Sequence, residues 1–190
     1  TCNCQPALYV YGLACLAVLK ELVPSLNPVA AAGLSLGEFT AHAAAGTYSF
    51  EEGLRLVQKR GAFMEEACNA TKGTMAAMIG GTDENVIKLA QECDVDVANF
   101  NCPGQTVVSG TEEGVAKAVA GAKAAGCKIA KKLNVAGAYH SRLMHSAMVK
   151  LAEELKNISF GTPSMPVYCN YEARVVEGPD DIRSMLEHQV

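Results

Sequence analysis

The chain has 190 residues, 49% of them hydrophobic and 19% charged, with a formal net charge of −4. That size and apolar content suit one domain, or one domain carrying an inserted subdomain. The acidic balance, with no basic run, excludes a nucleic-acid or anionic-membrane partner, and no apolar stretch reaches the roughly 20 residues of a membrane span. The longest such stretch, Ala7 to Val23, is interrupted by Lys20 and Glu21. The chain opens Thr-Cys-Asn-Cys, without Met or a basic n-region, so no signal peptide is expected and the natural start is expected to be missing.

Gln5 to Leu22, rich in Ala and Leu and followed by Pro24, predicts a helix. The short apolar run Pro28 to Gly33 predicts a buried strand. Leu36 to Ala45, closed by Gly46, and the amphipathic stretch Phe50 to Ala70 predict two further helices. From Thr74 the texture changes. Met75 to Ile79 reads as a strand, Asp83 to Cys93 as a helix, and Val95 to Phe100 with Thr106 to Ser109 as a hairpin turned at Pro103-Gly104. Glu112 to Ala125 reads as a helix and Lys128 to Leu133 as a strand. The resulting βαββαβ order is the ferredoxin-like pattern. A loop follows at 134–140, then a helix from Ser141 to Lys156. Strands at Pro166 to Asn170 and Arg174 to Val176 form a small hairpin, and a final helix starts at Pro179.

The eight cysteines are scattered singly apart from Cys2-x-Cys4, which fits reduced thiols in a reducing compartment. Nothing has the paired spacing of a metal site. His140 and His145 are five apart, so they do not share a helical face as a zinc-binding pair would.

Gly33-Leu34-Ser35-Leu36-Gly37 matches the Gly-x-Ser-x-Gly nucleophile elbow, a sharp strand-to-helix turn that lifts a serine above a sheet. The helix N-terminus behind it offers N–H groups to an oxyanion. Ser35-Leu36-Gly37-Glu38 is equally a Ser-x-x-Glu capping box, in which Ser35 only caps its helix. His140 is a candidate base for the serine, or a structural histidine. Arg60 is a candidate anion ligand, or a solvated residue on a helix face.

The string Gly33 to Ala41 resembles the active-site motif Gly-His-Ser-Leu-Gly-Glu of malonyl-CoA:acyl carrier protein transacylases. Further matches follow in that family's order. Gln5-Pro6-Ala7-Leu8 resembles its first-helix motif, and Arg60-Gly61 with Phe63-Met64 its arginine segment. Asn99 to Gly110 is close to its Asn-x-Asn-Ser-Pro-Gly-Gln signature. Ala138-Tyr139-His140-Ser141 with Leu143-Met144 resembles its histidine motif. Together these cover the whole chain.

The resemblance implies ping-pong acyl transfer. Ser35 is the nucleophile and His140 its base. Arg60 binds the free malonyl carboxylate, as a planar guanidinium can do bidentately. The Leu36 N–H is an oxyanion donor, Gln5 lines the pocket, and Tyr139 disfavours a methylmalonyl group. Malonyl-CoA and acyl carrier protein are the implied partners, in fatty acid or polyketide synthesis. Coenzyme A enters as a thioester substrate, and no cofactor or metal is called for. The implied location is cytoplasmic, or a plastid or mitochondrion in a eukaryote.

The fold expected is α/β. An α/β-hydrolase-like core spans 1–70 and 135–190, and the ferredoxin-like subdomain spans 71–134. Leu34 stands where the family usually has histidine, which implies tuning of the elbow. The family's opening Gly-Gln-Gly-x-Gln segment, and its closing strands with a glutamine that orients the histidine, find no match, so the terminal parts of the core are expected to be missing. Two other functions fit the serine. A serine esterase of α/β-hydrolase type would place an acid before His140, and none stands out there. An inactive, truncated module would only bind carrier protein.

Overall fold

The structure is a computed structural model describing residues 1–190. Along the chain run α1 (Cys4–Leu22), α2 (Leu36–Ala44), α3 (Phe50–Ala70), β1 (Gly73–Ile79), α4 (Asp83–Glu92), β2 (Asp96–Cys102), β3 (Gln105–Thr111), α5 (Glu112–Gly121), β4 (Ile129–Lys132), α6 (His145–Lys156) and α7 (Pro179–His188). The chain divides into two compact units, Thr1–Phe63 with Met148–Val190, and Met64–Ala147. No helix is long and apolar enough to cross a membrane, and all eight cysteines are unpaired.

In the first unit, α1 turns Gln5 and Tyr9 inward and leaves much of its apolar side in water, with Leu8, Tyr11 and Leu22 more than half exposed. It packs on α2, where Gly12 lets the backbone come close to the Thr40 methyl. Ser49 opens α3 with a complete capping box. Its N–H donates to Glu52 Oε2 at 3.1 Å, and the Glu52 N–H donates to Ser49 Oγ at 3.2 Å. The buried side of α3 recurs at helical spacing through Leu56, Val57, Arg60, Met64 and Ala67. Gly178 and Pro179 open α7, proline taking the first helical position where its missing N–H costs nothing.

The expected strand at Pro28 to Gly33 is neither a strand nor buried. Ala31 alone makes a parallel bridge, to Val167, while Val29 is 85% exposed. The chain bends at Val29, and at the bridge Ala31 N–H donates to Pro166 O and Ala31 O accepts from Tyr168 N–H. Pairing on one side only, at one residue, does not propagate a ladder. The same limit applies at Pro166 to Asn170 and Arg174 to Val176, where the expected hairpin reduces to a single antiparallel bridge between Tyr168 and Val175.

The second unit holds the chain's one multi-stranded sheet, four antiparallel strands in the order β2-β3-β1-β4. β1 and β3 are central and buried through their middles, and β2 and β4 are edges. α5 packs against β1 and β3, and α4 against β2 and β3. Their shared core includes Met78, Val86, Leu89, Val108, Val115 and Ala118. Thr82 and Thr111 cap the two helices, each accepting an N–H three residues on. The hairpin turns at Gly104, whose φ of 78° suits glycine. Two helix boundaries differ from expectation. α5 ends at Gly121, beyond which 122–125 form turns before Gly126 at φ 84°. The helix expected from Ser141 begins as a 3₁₀ turn over Arg142–Met144, because Ser141 caps it and α6 starts only at His145.

Candidate active site

Ser35 lies between the 28–33 segment and α2, with φ 49° and ψ −105°. A non-glycine residue in that region costs of order 1–3 kcal/mol and persists only where its surroundings impose it. One imposition is steric. A Cβ on Gly33 would sit 2.2 Å from the carbonyl of Gly37, so the chain can turn this tightly only with glycine at 33. Gly37 is different, since a Cβ there meets nothing within 4 Å. The capping reading of Ser35 is not realised, because its side chain makes no cap hydrogen bond. Leu36 is the first residue of α2, so its N–H belongs to the set a helix leaves unpaired at its start.

The hydroxyl of Ser35 is instead held by Arg60. Arg60 is 1% exposed, which rules out the solvated helix-face reading. Its Nη2 donates to Ser35 Oγ at 2.8 Å and to Gln189 Oε1 at 2.9 Å, and its Nη1 donates to Gln5 Oε1 at 2.5 Å. The guanidinium also lies over the Phe39 ring, 5.1 Å from its centroid. Every hydrogen-bond partner of this cation is uncharged, and its Nε has none. Burial draws the Arg60 pKa down to about 10, partly offset by the Glu38 charge, so it stays ionised at neutral pH.

Glu38, fully buried, is the anion of the site. Its Oε2 accepts from Asn170 N at 2.9 Å, Asn170 Nδ2 at 2.6 Å and Gln189 Nε2 at 3.1 Å, while Oε1 has no partner. Burial pushes the Glu38 carboxyl up, against the lowering effect of these hydrogen bonds and of Arg60. Gln189 also donates to Ser35 O at 3.1 Å. Its amide thus links cation, anion and serine backbone.

Of the residues singled out from the sequence, Ser35, Leu36, Arg60 and Gln5 come together in the first unit. His140 and Tyr139 lie in the second. His140 has φ 56°, the left-handed region. It precedes Ser141, whose Oγ donates to Ala138 O at 2.7 Å and accepts from Leu143 N–H. The Tyr139 side chain lies within reach of the Cys68 thiol and acts to lower its pKa against the burial that raises it. Asn170, Gln189 and the side-chain role of Glu38 escaped sequence reading. The first two carry no local signal, being single amides 135 and 154 residues beyond the serine they touch. Gln189 acts through its side-chain amide, on Arg60, Glu38 and the Ser35 carbonyl, and is a different feature from the closing glutamine whose backbone carbonyl the resemblance sets on the histidine.

Comparison with known proteins gives this geometry a family. The chain is 40% identical, over all of its length, to the malonyl CoA-acyl carrier protein transacylase of Bacillus subtilis (strain 168). It superposes with a TM-score of 0.95 and 36% identity on the malonyl CoA-acyl carrier protein transacylase of Coxiella burnetii. The same score, at 37% identity, relates it to a malonyl-transacylase solved in complex with a type II PKS acyl-carrier protein. In each case the whole chain is covered, and it spans 61%, 61% and 62% of the respective relative. The family model described as "Acyl transferase domain" matches residues 1–186, and the chain belongs to that family.

Proposed function

We propose that the chain carries the acyl-transfer chemistry of a malonyl-CoA:acyl carrier protein transacylase, with Ser35 as the nucleophile. The observation that carries this reading is the Arg60 to Ser35 hydrogen bond at 2.8 Å, which sets a buried cation with only neutral ligands beside a serine on a strained turn. A malonyl thioester brings a free carboxylate, and burying that charge without a partner is costly. Arg60 offers the partner at the reacting oxygen.

In the proposed cycle, His140 takes the Ser35 hydroxyl proton as Oγ attacks the thioester carbonyl. The oxyanion that forms is held by the Leu36 N–H. The C–S bond breaks, the coenzyme A thiolate leaves with the proton from His140, and a malonyl ester remains on Ser35. The phosphopantetheine thiol of acyl carrier protein then gives its proton to His140 and attacks the ester, returning Ser35 to its hydroxyl form. Motif resemblance supports the base role of His140 and the placing of Tyr139 and Gln5 at the acyl group. The complex of a similar malonyl-transacylase with its carrier protein supports that partner. No cofactor or metal enters the cycle, and we assign it to the cytoplasm.

The fold reading that accompanies this function is an α/β-hydrolase-like core over 1–70 and 135–190, with a ferredoxin-like subdomain over 71–134. Its support is the βαββαβ order together with the antiparallel order β2-β3-β1-β4.

The test is the intact mass after incubation with malonyl-CoA. The chain should gain one malonyl group, and the Ser35→Ala protein should gain none. Labelling that persists in Ser35→Ala refutes the assignment.

A further inference from the structure

Two helices begin with the same Ser-x-x-Glu spacing, at 35–38 and 49–52. At Ser49 the capping box closes, and the Glu52 carboxyl is held below its usual range by the Ser49 hydroxyl and N–H. At Ser35 neither half of the box forms. The Ser35 N–H, which Glu38 would accept in a box, donates instead to Asn170 Oδ1 at 3.1 Å. The Glu38 N–H turns to the main-chain oxygen of Ser35 at 3.2 Å and leaves Oγ to Arg60.

Asn170 stands where the Glu38 side chain would have reached. All the hydrogen-bonding atoms of its amide are in use. Oδ1 takes the Ser35 N–H, and Nδ2 donates to Gly33 O at 2.7 Å and to Glu38 Oε2 at 2.6 Å. The Asn170 backbone N–H adds a second bond to the same carboxyl oxygen at 2.9 Å. One acceptor and two donors in this arrangement require an amide of this length, since a carboxylate cannot donate and a hydroxyl has one proton. The amide therefore ties both flanks of the turn, Gly33 and Ser35, to the buried Glu38.

We propose that Asn170, seated on Glu38, is a positioning residue for Ser35. It satisfies the serine N–H in place of a cap, holds the strained turn closed, and keeps Oγ out of the helix terminus, where a capping serine would direct it. The inference rests on Ser35 as the nucleophile. It differs from the roles of Arg60 and His140 in that Asn170 acts only through the backbone of the turn.

Two readouts test it on the 190-residue chain, with malonyl-CoA as the probe. The first is the hydrogen-exchange protection of the Ser35 amide, which needs no activity. Asn170→Ala should lower it about tenfold or more, in line with one lost buried hydrogen bond, and should leave the Leu56 and Val57 amides of α3 unchanged. The second is Ser35 malonylation. Its maximal rate should fall about ten- to a hundredfold in Asn170→Ala, while the half-saturating malonyl-CoA concentration moves less than about threefold.

Asn170→Asp keeps the shape and removes the donor. The new carboxyl faces Glu38 from α2, and the Arg60 charge on α3 reaches Glu38 through Gln189. At acidic pH the carboxyl pair shares a proton and the Ser35 protection should recover; at neutral pH the two charges repel and it should be lost. Unchanged Ser35 protection in Asn170→Ala overturns the inference. So does a loss of protection spread evenly over α3, which marks a purely structural residue, or an Asn170→Asp protein with no pH response. If the wild-type chain takes up no malonyl group, the proposed reaction falls, and the exchange data judge Asn170 alone.

Discussion

Arg60 and Ser35 are 25 residues apart in sequence and 2.8 Å apart at Nη2 and Oγ, with the arginine 1% exposed. A helix-interior arginine is ordinarily solvated at its head. Here the stem and head both lie in the core of the first unit, over the Phe39 ring, and Glu38, whose charge acts on it, shares a hydrogen-bond partner with it in the Gln189 amide but makes no hydrogen bond to it. The guanidinium is left with no anion among its hydrogen-bond partners.

Substrate choice should follow from that deficit. Arg60→Ala removes a hydrogen bond to a charged group, worth on the order of 1.5–3 kcal/mol, or roughly ten- to a hundredfold in rate. Because Arg60 also holds the Ser35 hydroxyl, both transfers should slow, but malonyl transfer should weaken by at least that factor more than acetyl transfer. The malonyl-to-acetyl ratio of kcat/KM, taken in an active, full-length context, checks it. An unchanged ratio removes the main physical support for a malonyl substrate.

The two elbow glycines should respond in opposite ways. A methyl group on Gly33 lands 2.2 Å from the Gly37 carbonyl, so Gly33→Ala should cost about 3 kcal/mol or more. Gly37 lies within α2 with open space at its Cβ position, and Gly37→Ala should be neutral to about 1 kcal/mol more stable. Urea midpoints of the two proteins decide it. Equal destabilisation would show that both glycines serve the turn.

His42 should make the fold sensitive to mild acid. It is fully buried, its Nδ1 pairs with Thr47 Oγ1 at 3.2 Å, its Nε2 has no partner, and burial lowers its pKa to about 4. The unfolded chain, with histidine near 6.5, binds the proton more readily than the folded one. Stability from this group is therefore present above pH 6.5 and is lost as pH falls toward 4, by up to about 3 kcal/mol. Glu38 works the other way, since its raised carboxyl favours the folded state as pH drops. His42→Gln should flatten the descending limb between pH 6.5 and 4 in a thermal-melt series. A slope equal to wild type would assign that limb to other groups.

The proposed base role of His140 makes a kinetic claim. His140→Ala should slow Ser35 malonylation by a factor of order 10² or more, in line with general-base contributions. The rate is followed by mass spectrometry, with circular dichroism confirming the fold. Near-normal acylation would show that the left-handed backbone at 140 serves only the turn into α6.

Helices and the compact βαββαβ unit were legible because their causes are local. Thr82 and Thr111 cap what they precede, Gly104 turns the hairpin, and the buried face of α3 recurs at helical spacing. The apolar run at 28–33 misled because strand character is decided by neighbours, and only Val167 pairs with it. The serine motif was legible, but the same Ser-x-x-Glu string describes both Ser35 and Ser49. What separates them is an asparagine 135 residues away, and no local pattern announces it. By local pattern Arg60 reads as any helix-face cation; only the motif resemblance singles it out, and the fold turns it inward.

The wetted apolar side of α1 governs how the chain behaves in a flask. With Leu8, Tyr11 and Leu22 turned outward, and Val29 and Leu34 exposed beyond them, hydrophobic surface meets solvent over five turns of helix and the segment after it. A net charge of −4 gives little mutual repulsion to oppose sticking. Excluded salts such as ammonium sulfate strengthen apolar association, so the chain should precipitate early in a salt cut and bind tightly to a phenyl resin. Because Cys4 and Cys15 are exposed on the same helix, molecules gathered this way also bring free thiols into reach of one another, and a reductant belongs in every buffer.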